Sequence, residues 1–327
     1  MILFNSANTV LVARPRDFCY NPETAGDNEF QGVVKGNPEE ITRLANEEFE
    51  ALVYALTSEG VEVLILEPPS DPDLKLPDAV FPNNWFSTHP DGRMFTYPML
   101  APNRQAERRI DDLEDLVRSN FYQLEGIHDI SGATDEFLEG TGSLIFDHCH
   151  CAIYASLSKR CNSNLLDKLG NWFPKYELIK FESFSASELP IYHTNVVMTM
   201  GTRFAVICLE AVKDERQRAM LVERITEHRE LIDITREQMS QHFCGNILEL
   251  RNQFGTGVIF MSEAALLGFR DDQIEALSKY GKLVSVPVPT IQQIGGGSVR
   301  CMLGEIFLPR DYRAAAHGGG TSLIDPL

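Results

Sequence analysis

Four residues spread along the chain are of the types that covalent catalysis at an electrophilic carbon requires: Asp78, Glu139, His193 and Cys301. Cys301 follows a run of three glycines, Gly295-Gly296-Gly297, by way of Ser298-Val299-Arg300, and enters the apolar stretch Met302-Leu303-Gly304-Glu305-Ile306-Phe307. Glycines open backbone dihedrals closed to other residues and let a ligand approach the main chain. Such a turn would hold a thiol at the mouth of a strand, where backbone N–H groups and Arg300 favour the thiolate, the form of cysteine that attacks electrophiles. Taken alone, the stretch reads equally well as a buried cysteine after an ordinary loop. The places of the other three residues in the pattern of elements decide between the two.

A short strand over 9–15 leads into a turn-rich loop from 17 to 37, long enough to cover a site or to move. Asn37-Pro38-Glu39-Glu40 opens a helix with a cap, a first-turn proline and acids near its positive end; it runs to about Ser58, and 60–66 reads as a strand. Hairpins then recur: 84–97 around Asp91-Gly92, 143–154 around Asp147-His148, 195–207 around Gly201-Thr202, 246–260 around Gly255-Thr256-Gly257, and a fifth beginning at Cys301. Helical sequence follows the first four, over 105–121, 165–172, 214–240 and 271–280, and strands such as 176–181 and 282–288 lead into the next hairpin. A period of roughly 50 to 60 residues means a ring or stack of similar units. The connections into the hairpins hold, in turn, Asp78, Glu139, His193 and Cys301, so closing five βαβ-like units about an axis brings dispersed chemistry to its centre.

Composition narrows the function. The 327 residues are 43% hydrophobic, ample for a core, and no apolar run approaches the roughly 20 residues that span a bilayer. Seven scattered cysteines in a chain too long to need staples, and a start without a basic flank or sustained apolar core, predict reduced thiols and a cytoplasmic location. A net charge of −18 argues against nucleic acid and anionic membranes. The partner expected is a small molecule, with no cofactor and no metal: in His148-Cys149-His150-Cys151, alternation along a strand leaves at most two ligands on a side. Homo-oligomerisation stays open.

The ordered set Asp78, Glu139, His193, Cys301 resembles, over nearly the whole chain, the pentein superfamily of guanidine-modifying enzymes: dimethylarginine dimethylaminohydrolase, arginine deiminase, succinylarginine dihydrolase and the amidinotransferases. Leu76-Pro77-Asp78-Ala79-Val80-Phe81 resembles the substrate-side acidic segment of the dimethylarginine hydrolases, and Ala101-Pro102-Asn103-Arg104 their arginine-bearing segment. Ser158-Lys159-Arg160-Cys161-Asn162 is similar to a segment whose arginine binds the substrate α-carboxylate. The N-terminal Ala13-Arg14-Pro15-Arg16-Asp17-Phe18 with Asn21, Thr24, Asn28 and Phe30 is most similar to the citrulline-utilisation hydrolase, amidinotransferase-like branch. The resemblance implies an α/β pentein fold, five ββαβ-type units around a pseudo-five-fold axis (an α/β propeller), as one catalytic domain over 1–327. It also implies roles. Cys301 attacks the guanidino or ureido carbon, His193 protonates the leaving ammonia and then activates water, Glu139 hydrogen-bonds the substrate N–H groups, and Arg104 and Arg160 hold the amino-acid carboxylate.

Two departures bear on the substrate. Asn83-Asn84 stands where the dimethylarginine hydrolases carry a Glu-Asp pair, and His193-Thr194-Asn195 where arginine deiminases carry His-x-Asp. A guanidinium offers only donors and wants carboxylates, whereas a neutral ureido group offers a carbonyl that an amide N–H can meet. With Asp78, Asn83, Asn84 and Asn195 as substrate contacts, the expected reaction is citrulline to ornithine, carbon dioxide and ammonia. Arginine deimination, dimethylarginine hydrolysis, amidino transfer and a non-catalytic pentein-fold binding protein are the alternatives.

Overall fold

Two strands in parallel need a crossover between them, and that requirement organises the chain. The computed structural model describes residues 4–32, 37–131 and 135–311. Phe86–Thr88 pairs antiparallel with Arg93–Thr96, and the chain then crosses through the helix Ile110–Ser119 to lay Gly126–Asp129 parallel to the second hairpin strand. The same plan builds Ile145–Asp147, Ala152–Ser156 and Glu177–Phe181 around the helix Ser163–Gly170. It recurs in Met198–Met200, Phe204–Ile207 and Glu230–Asp233, and in Leu248–Arg251, Gly257–Ser262 and Lys282–Val286. In the fifth sheet Gly304–Glu305 pairs antiparallel with Thr9–Ala13, which runs parallel to Glu62–Leu66 after the helix Pro38–Ser58. The first strand of the chain thus completes the last unit and closes the ring.

Two expectations change. The strands near 176–181 and 282–288 join the sheet of the hairpin before them, because that hairpin's second strand offers the open parallel edge that a crossover helix reaches. The stretch 214–240 is not one helix: Glu215–Thr226 ends, Glu230–Asp233 pairs along Phe204–Ile207, and Thr235 starts Arg236–His242 with a capping box. The edge strand and the Thr235 cap outweigh continued helix there.

The inner strands are buried from end to end, as in Ile145–Asp147, Met198–Met200 and Phe204–Ile207. The outer helices face them with one stripe, which in Pro38–Ser58 is Ile41, Ala45, Phe49, Leu52 and Leu56, at helical spacing. Just before each inner strand the chain makes a single tight turn: Pro82–Asn84, Gly140–Ser143, Thr194–Val197, a turn closed by Asn246 N–H on Phe243 C=O, and Val299–Met302. These five turns sit at the equivalent place in the five units and pack against their neighbours.

Candidate active site

Because the turns are equivalent, the residue at each enters the same space. Cys301 lies within the Val299–Met302 turn, while His193 and Glu139 immediately precede their turns. Cys301, His193, Asp78, Asn84, Arg104 and Arg160 line one cavity. Its roof comes from the loop over 17–32, through Thr24 and Asn28. Gly296 ends the helix Pro289–Gly295 with φ +65°, and a Cβ there would lie 2.8 Å from both Asn28 Nδ2 and Gln31 N, so only glycine lets that loop seat. Asn28 donates to Gly295 C=O at 3.3 Å. Residues 33–36 of the 17–37 loop lie outside the described residues.

The geometry places Glu139 behind His193, not on the cavity wall. Its Oε2 accepts His193 Nε2–H at 2.8 Å and its Oε1 accepts Leu100 N–H at 2.9 Å, so both oxygens already serve protein donors where the resemblance implies a substrate contact. Full burial works against its charge, but Arg160, His193 and Arg104 outweigh burial and hold its carboxyl well below the usual range. The same burial holds the His193 imidazole below its ordinary value although Glu139 pulls the other way. A neutral His193 that donates Nε2–H to Glu139 carries its ring lone pair on Nδ1.

Asp78 supplies the carboxylate of the cavity wall. Its Oδ2 accepts Asn21 Nδ2–H at 2.6 Å and the Thr24 hydroxyl at 3.3 Å, while Oδ1 is buried with no partner among the described residues. Asn84 Oδ1 accepts Arg104 Nη1–H at 3.0 Å and its Nδ2 donates to Asn83 Oδ1 at 3.0 Å, so Asn83 backs Asn84 and does not line the cavity. Asn195 points its amide at the Cys301 thiol: Nδ2 lies 3.4 Å from Sγ. A second amide, Asn246 Nδ2, lies 3.2 Å from the same sulfur.

The two arginines reach the cavity with their forks already engaged. Arg104 holds Glu107 through Nε and Nη2 at 2.9–3.1 Å. Arg160 holds Asp27 of the roof loop through Nε and Nη2 at 2.8 and 2.7 Å, and keeps Nη1 3.5 Å from Glu139. The forked grip on a substrate carboxylate is thus not preformed in either guanidinium. Arg300 lines a second cavity with Glu305, Asn5 and His148, and its charge still acts on the neighbouring Cys301. In the 148–151 run, His148 Nδ1 meets the Tyr176 hydroxyl at 3.0 Å and His150 Nδ1 meets Asp147 at 3.1 Å. Among the described residues no three of His, Cys, Asp and Glu are placed to hold a metal, and no helix is long and apolar enough to cross a membrane.

Sequence reasoning missed Glu107, Asp27 and Asn246. Glu107 carried a signal, an acid three residues beyond Arg104. Asn246 carried another, since it opens the fourth hairpin as Asn84 and Asn195 open the first and third. Asp27, in a loop without periodicity, carried none.

The family model described as N,N dimethylarginine dimethylhydrolase, eukaryotic, matches residues 14–308. No curated protein matches the sequence. Among solved structures, the N-terminal domain of ArgZ, covalently bound to a reaction intermediate, superposes with a TM-score of 0.69 at 17% identity over 92% of this chain and 99% of that one. Full-length ArgZ, an arginine dihydrolase from the ornithine–ammonia cycle in cyanobacteria, gives the same TM-score and identity, and the match spans 41% of its chain. A dimethylarginine dimethylaminohydrolase adduct with S-methyl-L-thiocitrulline follows at a TM-score of 0.63 and 14% identity, over 91% of this chain and 99% of that one. The five-unit architecture they share with this chain is the pentein fold.

Proposed function

Since the chain belongs to the N,N-dimethylarginine dimethylhydrolase family and is a cysteine-dependent hydrolase, we propose that it cleaves the ureido amino acid citrulline to ornithine, carbon dioxide and ammonia. One observation carries the choice of a neutral reacting group: beside Cys301 and His193 stand the amides Asn84, in the cavity wall, and Asn195, at the sulfur, with Asp78 the one carboxylate among the described lining residues. A cationic guanidinium finds a single carboxylate acceptor there. A ureido group can place its N–H on the free Asp78 Oδ1 and its carbonyl toward amide and guanidinium donors.

The chemistry follows from the positions. Cys301 Sγ attacks the ureido carbon as His193 Nδ1 takes the thiol proton and delivers it to the departing nitrogen, releasing ammonia and leaving an S-linked thiocarbamate. His193 then draws a proton from water, which attacks the same carbon. The C–S bond breaks with its electron pair returning to sulfur, and the freed carbamate decomposes to ornithine and carbon dioxide. Glu139 keeps the imidazole proton on Nε2 throughout. A second reading, arginine as substrate, is favoured by the buried acceptor on Asp78, which suits a guanidinium N–H equally. Incubation with citrulline, arginine, methylarginines and succinylarginine, followed by mass spectrometry of the products, separates the readings. Ornithine formed from arginine faster than from citrulline would refute the first.

A further inference from the structure

We propose that Asn246 is a catalytic group of this reaction: one N–H of its amide is donated to the Cys301 sulfur, and the other ties the nucleophile to the main chain of the segment that carries His193. The proposal rests on Cys301 as nucleophile and does not depend on which substrate is cleaved. Asn246 is fully buried, and its Nδ2 lies 3.2 Å from Cys301 Sγ and 2.9 Å from the carbonyl oxygen of Asn195. Both hydrogens of one amide are used, so the donor to sulfur is fixed in direction and cannot swing away. Gly245 makes this approach feasible: a Cβ there would lie 2.3 Å from Val196 O, so the bare backbone lets the fourth turn press against the third. Phe243, with φ +57°, reverses the chain to deliver it.

The amide supplies the shorter of two hydrogen bonds to the sulfur. Arg300, the cation next to Cys301 in sequence, acts on it through space. Among the described residues the hydrogen bonds to Sγ come from Asn195 and Asn246, the first at 3.4 Å. Sulfur carries negative charge when it attacks and again when the thiocarbamate C–S bond breaks with the electron pair returning to it. An amide donor stabilises both states and adds no charge to a wall already holding two arginines. Asn246 does not itself line the cavity, so its loss should lower kcat and leave KM nearly unchanged.

The test is the pH dependence of iodoacetamide alkylation at Cys301, followed by peptide mapping, in wild type, Asn246→Ala and Asn246→Asp, beside kcat, KM and melting curves. Loss of a hydrogen bond to an ionised group moves a titration by about one unit. The alkylation profile should shift to higher pH by about that much in the alanine variant and further in the aspartate variant, where a carboxylate faces the sulfur. Turnover should fall tenfold or more in both, at roughly that same energetic scale. Profiles that coincide in all three proteins overturn the proposal, and so does failure of both variants to fold, which would make Asn246 a structural tie. Turnover surviving in Cys301→Ala would instead refute the nucleophile, a result the alkylation profile does not affect.

Discussion

Replacing Glu139 with glutamine changes one oxygen to an NH2 group in a site with no exposure to solvent, and the consequences can be worked through atom by atom. Oε1 must stay an acceptor, because Leu100 N–H points at it from 2.9 Å. The new NH2 group then replaces Oε2, 2.8 Å from His193 Nε2, and two donors cannot share that contact. The imidazole must move its proton to Nδ1 and accept from the amide, which removes the lone pair from Nδ1. Flipping the amide only transfers the clash to Leu100. Holding a catalytic imidazole in the wrong tautomer costs on the order of 10³–10⁴ in kcat. The stability loss is smaller, about 1–3 kcal/mol, because Arg104 and Arg160 keep Glu107 and Asp27 when the charge at 139 disappears. Glu139→Gln should therefore lower ammonia release by at least about a hundredfold while the protein still melts cooperatively, a few degrees lower. Turnover within about tenfold of wild type, with the melting curve intact, would remove Glu139 from the mechanism.

Three further outcomes are expected. Asn84→Asp with Asn195→Asp should shift the kcat/KM ratio toward arginine and away from citrulline by about tenfold or more, since each carboxylate can form a charge-assisted bond to a guanidinium and repels a ureido oxygen; the ratio cancels the general damage of placing a carboxylate beside Cys301 Sγ, and an unmoved ratio shows that these positions do not select the substrate. Alkylation of Cys301 alone should track loss of activity, because burial pushes Cys161, Cys208 and Cys244 up to about 12 and Cys149 up to about 11; inactivation that follows Cys149 or Cys19 in peptide maps contradicts this. Burial holds His148 at about 4, below the 6.5 of an exposed imidazole, so the unfolded chain binds the proton first and stability is lost as pH falls from 6.5 toward 4. That loss is roughly 3 kcal/mol, and denaturant titrations of His148→Gln should show a flatter slope across the window; a slope identical to wild type assigns the acid sensitivity elsewhere.

The repeat was legible in the sequence because hairpins announce themselves locally: Asp91-Gly92 between alternating apolar residues specifies a turn whatever the rest of the chain does. Glu139, His193, Cys301 and the amides at 84 and 195 could be singled out for the same reason, since each sits in or just before the tight turn of a unit, with Asp78 a few residues ahead of the first. Partners across the ring were not. Which hairpin a third strand joins depends on an edge offered by another segment, and the last unit is closed by the first strand of the chain. Whether a polar side chain meets substrate or protein depends on neighbours far along the sequence. Glu139 faces a histidine 54 residues away, Arg160 an aspartate 133 residues away, and Cys301 an amide 55 residues away. Spacing constrains residues on one element, but five turns packed around an axis bring together atoms that no local period relates. Which carboxylate backs His193 and which faces the cavity is therefore set by tertiary packing alone.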